Sequence, residues 1–296
     1  MVEFHKIYKP LTAVPFRKDS TYAEYEPCEA LRPYVRCFWG TCEKVSRQRE
    51  TDFLGETNSR EKDGKQLVIP DTCMDIIFKI DHKKSLVESK FCGVDDRAFQ
   101  GTAVAEGEQV STFAIRFYAW SVALFADDSM KEVKNGSFDL EQYFSGIKRE
   151  IEPILFEITD IKDRMKRTEE YLLKHISVKM GYPMFLQATG HILDKKGNVN
   201  IALLARDTGI GSRQLERVFK EYIGLSPKRF ASLIRYQQVW RDLLFSNTFD
   251  VQDAVLRYGY TDQAHLLHEF KRYHTMSLQK AREYALKDVV FLQEKV

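Results

Sequence analysis

Apolar and polar positions along the 296-residue chain change rhythm once, near residue 120. Before that point the apolar residues come in short runs, many β-branched or aromatic, bounded by proline, glycine or charge. Residues 34–40, 66–69, 75–80, 86–94 and 112–117 each predict a strand on this basis. Residues 81–85 predict a hairpin connection, and the charged, small-residue stretch 46–65 an exposed loop. Short strands in succession predict a small antiparallel barrel or sandwich.

After Trp120 the spacing becomes helical. Residues 140–156 and 158–180 predict helices, and Ile161, Met165, Leu172 and Ile176 fall along one stripe. That stripe suits packing against the strands or a helical dimer interface. Gly181-Tyr182-Pro183 breaks the run, and Lys195 to Asn198 marks a boundary.

The last hundred residues hold one pattern twice. Residues 201–220 and 251–271 each read as helix, glycine turn, helix, with Leu215, Phe219 and Lys220 matched by Leu266, Phe270 and Lys271. This is the unit that sets one helix in a DNA major groove, and two in one chain can address two successive grooves. At 100° per residue, Leu215, Val218 and Phe219 share one face of the first reading helix, opposite Arg213, Arg217 and Lys220. Gly211 and Ser212 supply its turn and N-cap; Thr261 and Asp262 cap the second. Arginines near a helix start suit bidentate contact with guanine, and Lys220 suits phosphate. In the second unit Gln263 can read a base edge and Ala264 touch a thymine methyl. Between the units, Ser226 and Pro227 open a helix of some twenty residues, about 30 Å and close to one DNA turn of about 34–36 Å. Lys228, Arg229 and Arg235 on it are candidate phosphate contacts, as are Ser212, Thr261 and Lys271 on the reading units.

Charge sharpens this division. Residues 191–296 carry 17 basic and 12 acidic side chains, the remainder 28 and 31, which suits a DNA reader joined to a different module. No leader pattern or membrane-length apolar run is present, so a cytoplasmic protein is expected. The five cysteines, Cys28, Cys37, Cys42, Cys73 and Cys92, show no CxxC pair, so no structural metal, cofactor or disulfide framework is expected; a redox- or metal-sensing role for Cys37 and Cys42 stays open.

The stretches from Ser212 to Lys220, Gly224 to Lys228 and Gly259 to Phe270 resemble the AraC/XylS family of bacterial transcription regulators. The resemblance implies seven helices with two helix-turn-helix units, promoter binding and recruitment of RNA polymerase. It assigns base reading to Arg213, Gln214 and Arg217 in the first unit and to Gln263, Ala264 and His268 in the second. One departure is the segment His274 to Leu278, where family members usually carry Gly and Ser-Pro. The stretches Pro70 to Phe78 and Phe113 to Phe117 resemble, more loosely, a β-rich domain found joined to such readers.

The expected fold is therefore α+β with two domains: a β-rich barrel or sandwich with following helices, then an all-α tandem helix-turn-helix domain. The expected divisions are 1–125 for effector binding, 126–194 for a helical connector or dimerisation region, and 195–296 for DNA. The expected function is a non-enzymatic regulator, an activator in the first instance, that binds double-stranded DNA and answers to a small-molecule effector. Arg36, Trp39, Phe78 and Arg116 are the candidate effector contacts. The competing readings are a constitutive regulator whose N-terminal domain only dimerises, and an N-terminal thiol- or metal-dependent enzyme, for which no nucleophile–base pair is visible.

Overall fold

Residues 3–12, 22–41, 65–102 and 110–287 are described by the structure, a computed structural model. The loop expected at 46–65 therefore lies almost wholly outside the described residues, as does Cys42. The strands are β1 (Tyr22–Tyr25), β2 (Val35–Thr41), β3 (Lys65–Val68), β4 (Cys73–Asp81), β5 (Leu86–Cys92), β6 (Phe99–Thr102), β7 (Val110–Tyr118) and β8 (Ser137–Asp139). All pair antiparallel: six form one sheet in the order β1-β2-β7-β4-β5-β8, and β3 pairs with β6 in a separate ribbon. The expected β4–β5 hairpin is present, its turn held by the Asp81 carboxylate, which accepts from the Lys83 and Lys84 amides.

Alternation decides the two faces of the sheet. Phe38, Ile76, Phe78, Phe113 and Ile115 point to one side, and the helices α2 (Leu140–Glu150), α3 (Glu152–Glu157) and α4 (Ile161–Lys174) cover it. Phe91 meets Phe144 and Tyr143 at ring distances of 4.8 and 5.4 Å. The stripe on α4 packs inward: Ile161 and Leu172 are buried, and Met165 and Ile176 lie against the same core. Its apolar face is thus occupied within the chain. The opposite sheet face holds a small separate cluster of Cys37, Trp39 and Ala114.

Gly181 and Pro183 do more than end a helix. Gly181 takes φ +92° as N-cap and Pro183 sits in the first turn of α5 (Tyr182–Asp194). Phe185 of α5 packs on Phe219 and Tyr222, each at 5.1 Å. α5 thus shares a core with the first reading helix, on the other side of the division expected at 195. Six further helices follow: α6 (Ile201–Asp207), α7 (Ser212–Ile223), α8 (Pro227–Phe245), α9 (Val251–Tyr258), α10 (Gln263–His274) and α11 (Leu278–Lys287). With α5 they make the seven that the resemblance implied.

The two parts are joined by one continuous core. At the N-terminus, the short helix α1 (Phe4–Ile7) sets Phe4 edge-on against Trp120 at 5.7 Å and close to Gly190 of α5. Buried Gln237, on α8, accepts from the Leu11 amide and donates to the Leu11 and Pro70 carbonyls. The Met130 amide donates to the Glu221 carbonyl at 2.9 Å and the Ala98 amide to the Tyr273 carbonyl at 2.7 Å. Gly224 closes α7 at φ +72°, and a Cβ there would lie 2.5 Å from the Met130 carbonyl oxygen. Only glycine meets both demands.

Candidate nucleic-acid interface

Each reading unit is built by the same local rules. Gly209 and Gly259 both take φ +66°, the left-handed turn that ends α6 and α9. Asn200 caps α6 through the amides of Ala202 and Leu203, and Asp250 caps α9 through that of Asp253. Leu215, Val218 and Phe219 on α7, and Leu266 and Phe270 on α10, are buried anchors. Opposite them Arg213 and Arg217 are exposed and Gln214 half-buried; Gln263, Ala264 and His268 are exposed on α10. The six expected base-reading positions thus lie on the outer surfaces of two matched helices. Ser212 is the first residue of α7 and does not cap it; Gly211 occupies the N-cap with no side-chain bond. Asp262 does cap α10, accepting from the His265 amide at 2.7 Å.

The rod α8 has 19 residues, about 28 Å at 1.5 Å per residue. Ser226 accepts from the Arg229 amide and Pro227 fills N1, as expected. The helix is buried along much of its length, so it is a structural beam between the units rather than an exposed linker.

Comparison with protein-family models finds a match at residues 204–284, described as "Helix-turn-helix domain". The C-terminal domain is a helix-turn-helix domain. Residues 23–139 match a second model, described as "Domain of unknown function (DUF6597)". No curated protein matches the chain. Among solved structures, an AraC-type transcriptional regulator from Chromobacterium violaceum is similar at 21% identity and a TM-score of 0.32, covering 36% of this chain and 94% of that one. The C-terminal domain of AraT from Geobacillus stearothermophilus is similar at 19% identity and 0.33, over 38% of this chain and 93% of that one. ToxT from Vibrio cholerae is similar at 11% identity and 0.36, over 78% and 95%. The assignment rests on the family match and on the paired helix geometry.

Within the helix-turn-helix domain the structure departs from two of the expected phosphate contacts. The Arg235 guanidinium is inside the fold: Nε and Nη2 donate to the two Glu269 oxygens at 3.1 and 2.9 Å, and the group lies 4.4 Å over the Tyr260 ring. Ser232 and Tyr260 donate to the same carboxylate, which the paired arginine holds below the usual carboxylate range despite burial. Arg229 is half-buried and already paired, its Nε donating to Asp96 of the N-terminal domain at 2.8 Å. Ser212, Lys228, Thr261 and Lys271 remain exposed, and Lys220, also exposed, reaches the Gly224 carbonyl at 3.2 Å.

The four candidate effector residues do not form one site. Phe78 lies on the helix-covered face, stacked on Phe113 at 6.2 Å, so strand alternation removes it from the polar face. Trp39 and Arg116 share that polar face. Arg116 donates to both Asp75 oxygens at 2.9 and 3.1 Å, lies 3.8 Å from Glu24 and stands over the Trp39 ring. Arg36 is the extra residue of a β-bulge between Val35 and Cys37, and its Nε has no hydrogen-bond partner among the described residues. Burial pushes Asp71 up to about 6, and burial with neighbouring carboxylates pushes Asp95 up to about 7. The Cys37 and Cys73 thiols are driven well above their ordinary value by burial, which opposes thiolate chemistry. Among the described residues no group of three metal-ligating side chains occurs, and no helix is long and apolar enough to cross a membrane. Asp75, Asp96, Gln237 and Glu269 were not singled out from the sequence. Each partners a residue 34 or more positions away, so no local pattern marks them.

Proposed function

We propose that this chain is a one-component transcription regulator that reads two successive major grooves and is set by a small molecule held in its β-rich domain. The carrying observation is the pair of matched units, with Arg213, Gln214 and Arg217 on one exposed helix and Gln263, Ala264 and His268 on the other, braced by α8. The first helix supplies most of the base discrimination through its arginines. The second, with one amide and one imidazole, contributes less. Ser212, Lys220, Lys228, Thr261 and Lys271 contact phosphate and set the register. The protein acts in the cytoplasm, as an activator that recruits RNA polymerase to the promoter. Arg36, beside the Trp39–Arg116 cluster, meets an anionic effector.

The test is binding to an operator mapped by footprinting. Arg213→Ala and Arg217→Ala each weaken specific binding by about 1–3 kcal/mol and relax preference at one half-site. Equal losses on operator and random DNA would refute base reading there. For the effector site, Arg36→Ala abolishes the effector response of a promoter reporter while operator affinity stays unchanged; a response that persists refutes that part.

A further inference from the structure

A cleft of about 580 Å³ opens between the two reading units, and its walls are unusually cationic. Lys220 comes from α7; Lys228, Arg229 and Arg235 come from α8; Arg272 comes from α10; and Lys134 reaches in from the N-terminal domain. Glu269 is the one carboxylate among the described lining residues; it holds Arg235 and lies 3.9 Å from Arg272. Asp96 stands at the edge, with Oδ2 2.8 Å from Arg229 and 3.7 Å from Lys134, while Oδ1 accepts from Asn135. Six cations thus face two carboxylates. Lys228 is exposed with no carboxylate within ion-pair distance among the described residues, and Arg272 donates to the Ser232 hydroxyl at 3.0 Å. Ser226 opens α8 at the same place, adding the positive end of a 19-residue helix.

We propose that this cleft binds a small molecule bearing phosphate groups. The size lies within the ordinary range for ligand sites, about 300–1,000 Å³. The surplus of fixed positive charge, three lysines and three arginines in the lining, suits a multiply charged oxyanion better than a neutral or apolar ligand. The site is separate from the polar face of the sheet and does not depend on the base-reading positions, but it shares Lys220 and Lys228 with the proposed DNA-phosphate contacts, so ligand and DNA compete for them. It has a consequence for the junction between domains. An oxyanion in the cleft competes with Asp96 for Arg229 and Lys134, and so loosens the ionic tie from the N-terminal domain to α8.

The experiment uses the full chain without DNA, titrated calorimetrically with inorganic pyrophosphate against chloride at equal ionic strength. One saturable site is expected. Lys228→Glu, at an exposed position, weakens it by at least about tenfold, the equivalent of one charge-assisted hydrogen bond. Asp96→Asn, which releases Arg229 and Lys134 but keeps an acceptor for Asn135, tightens it. Arg213→Ala, on the reading surface, leaves it unchanged. Heat that does not saturate beyond the chloride control, or an affinity indifferent to both Lys228→Glu and Asp96→Asn, overturns the proposal. So does a Lys228→Glu variant whose only change is a shallower salt dependence of DNA binding with no pyrophosphate site in the parent. The cations would then serve the DNA backbone.

Discussion

Two adjacent residues carry unusual loads at the end of the second unit. Thr275 closes α10 at φ +63° and ψ 0°, nearly the geometry that Gly224 gives α7. A β-branched residue in the left-handed region costs about 1–2 kcal/mol, while glycine returns about 0.5–1 kcal/mol through its freer unfolded state. Thr275→Gly is therefore expected to stabilise by up to about 1 kcal/mol, read as a higher urea midpoint with unchanged slope. A lower midpoint would refute the strain. Next to it, His274 is buried, bonded to the Tyr236 hydroxyl at 2.8 Å, and burial depresses it to about 3 from its ordinary 6.5. Between those values the unfolded chain binds the extra proton, so this residue's contribution is lost as pH falls through 6.5. The loss reaches about 1.4 kcal/mol at pH 5.5. Asp71 and Asp95 act in the opposite sense, because their raised folded values let the native chain bind protons first. Comparison with His274→Phe separates the effects: the stability gap between parent and variant should shrink by about that amount from pH 7.5 to 5.5. A constant gap would assign the titration elsewhere.

At the scale of elements, α8 and α10 are tied by the Arg235–Glu269 pair with Ser232 and Tyr260 around it. Arg235→Met leaves the buried Glu269 carboxylate only the Ser232 and Tyr260 hydroxyls and Arg272 at 3.9 Å, and is expected to cost about 3 kcal/mol. It should also shorten the DNA footprint to the groove read by α7, since α10 loses its brace. A full footprint at a temperature where the variant is folded would contradict this. Most elements were legible from the pattern, because β4 alternates against a core, β2 and β7 are runs buried on both faces, and α7 and α10 keep one apolar face each. The strands β1, β6 and β8, of three or four residues, are set by pairing partners rather than by pattern. Arg229 and Arg235 were misread for a related reason. A basic residue on a helix looks the same in sequence whether it meets phosphate or a distant carboxylate.

Across the whole molecule, Gln237 is the polar stitch through the junction. Gln237→Leu strands the Leu11 amide and the Pro70 carbonyl in an apolar setting, at roughly 1–3 kcal/mol for each group. The expected result is a lower melting temperature and the splitting of a single calorimetric transition into two, since the parts then melt independently. An unsplit transition with an unchanged midpoint would show that the apolar core alone couples the domains.

Under the proposed two-groove reading, the sealed beam α8 also constrains the promoter itself. A helix clamped on one side by Gln237 and on the other by Arg235 has no torsional slack to offer. Each base pair inserted between the half-sites swings the distal groove by about 34° around the duplex axis. Insertion of five pairs should therefore silence an operator that insertion of none leaves active. Restoring a full turn returns the phase but not the reach, so the architecture admits essentially one spacing.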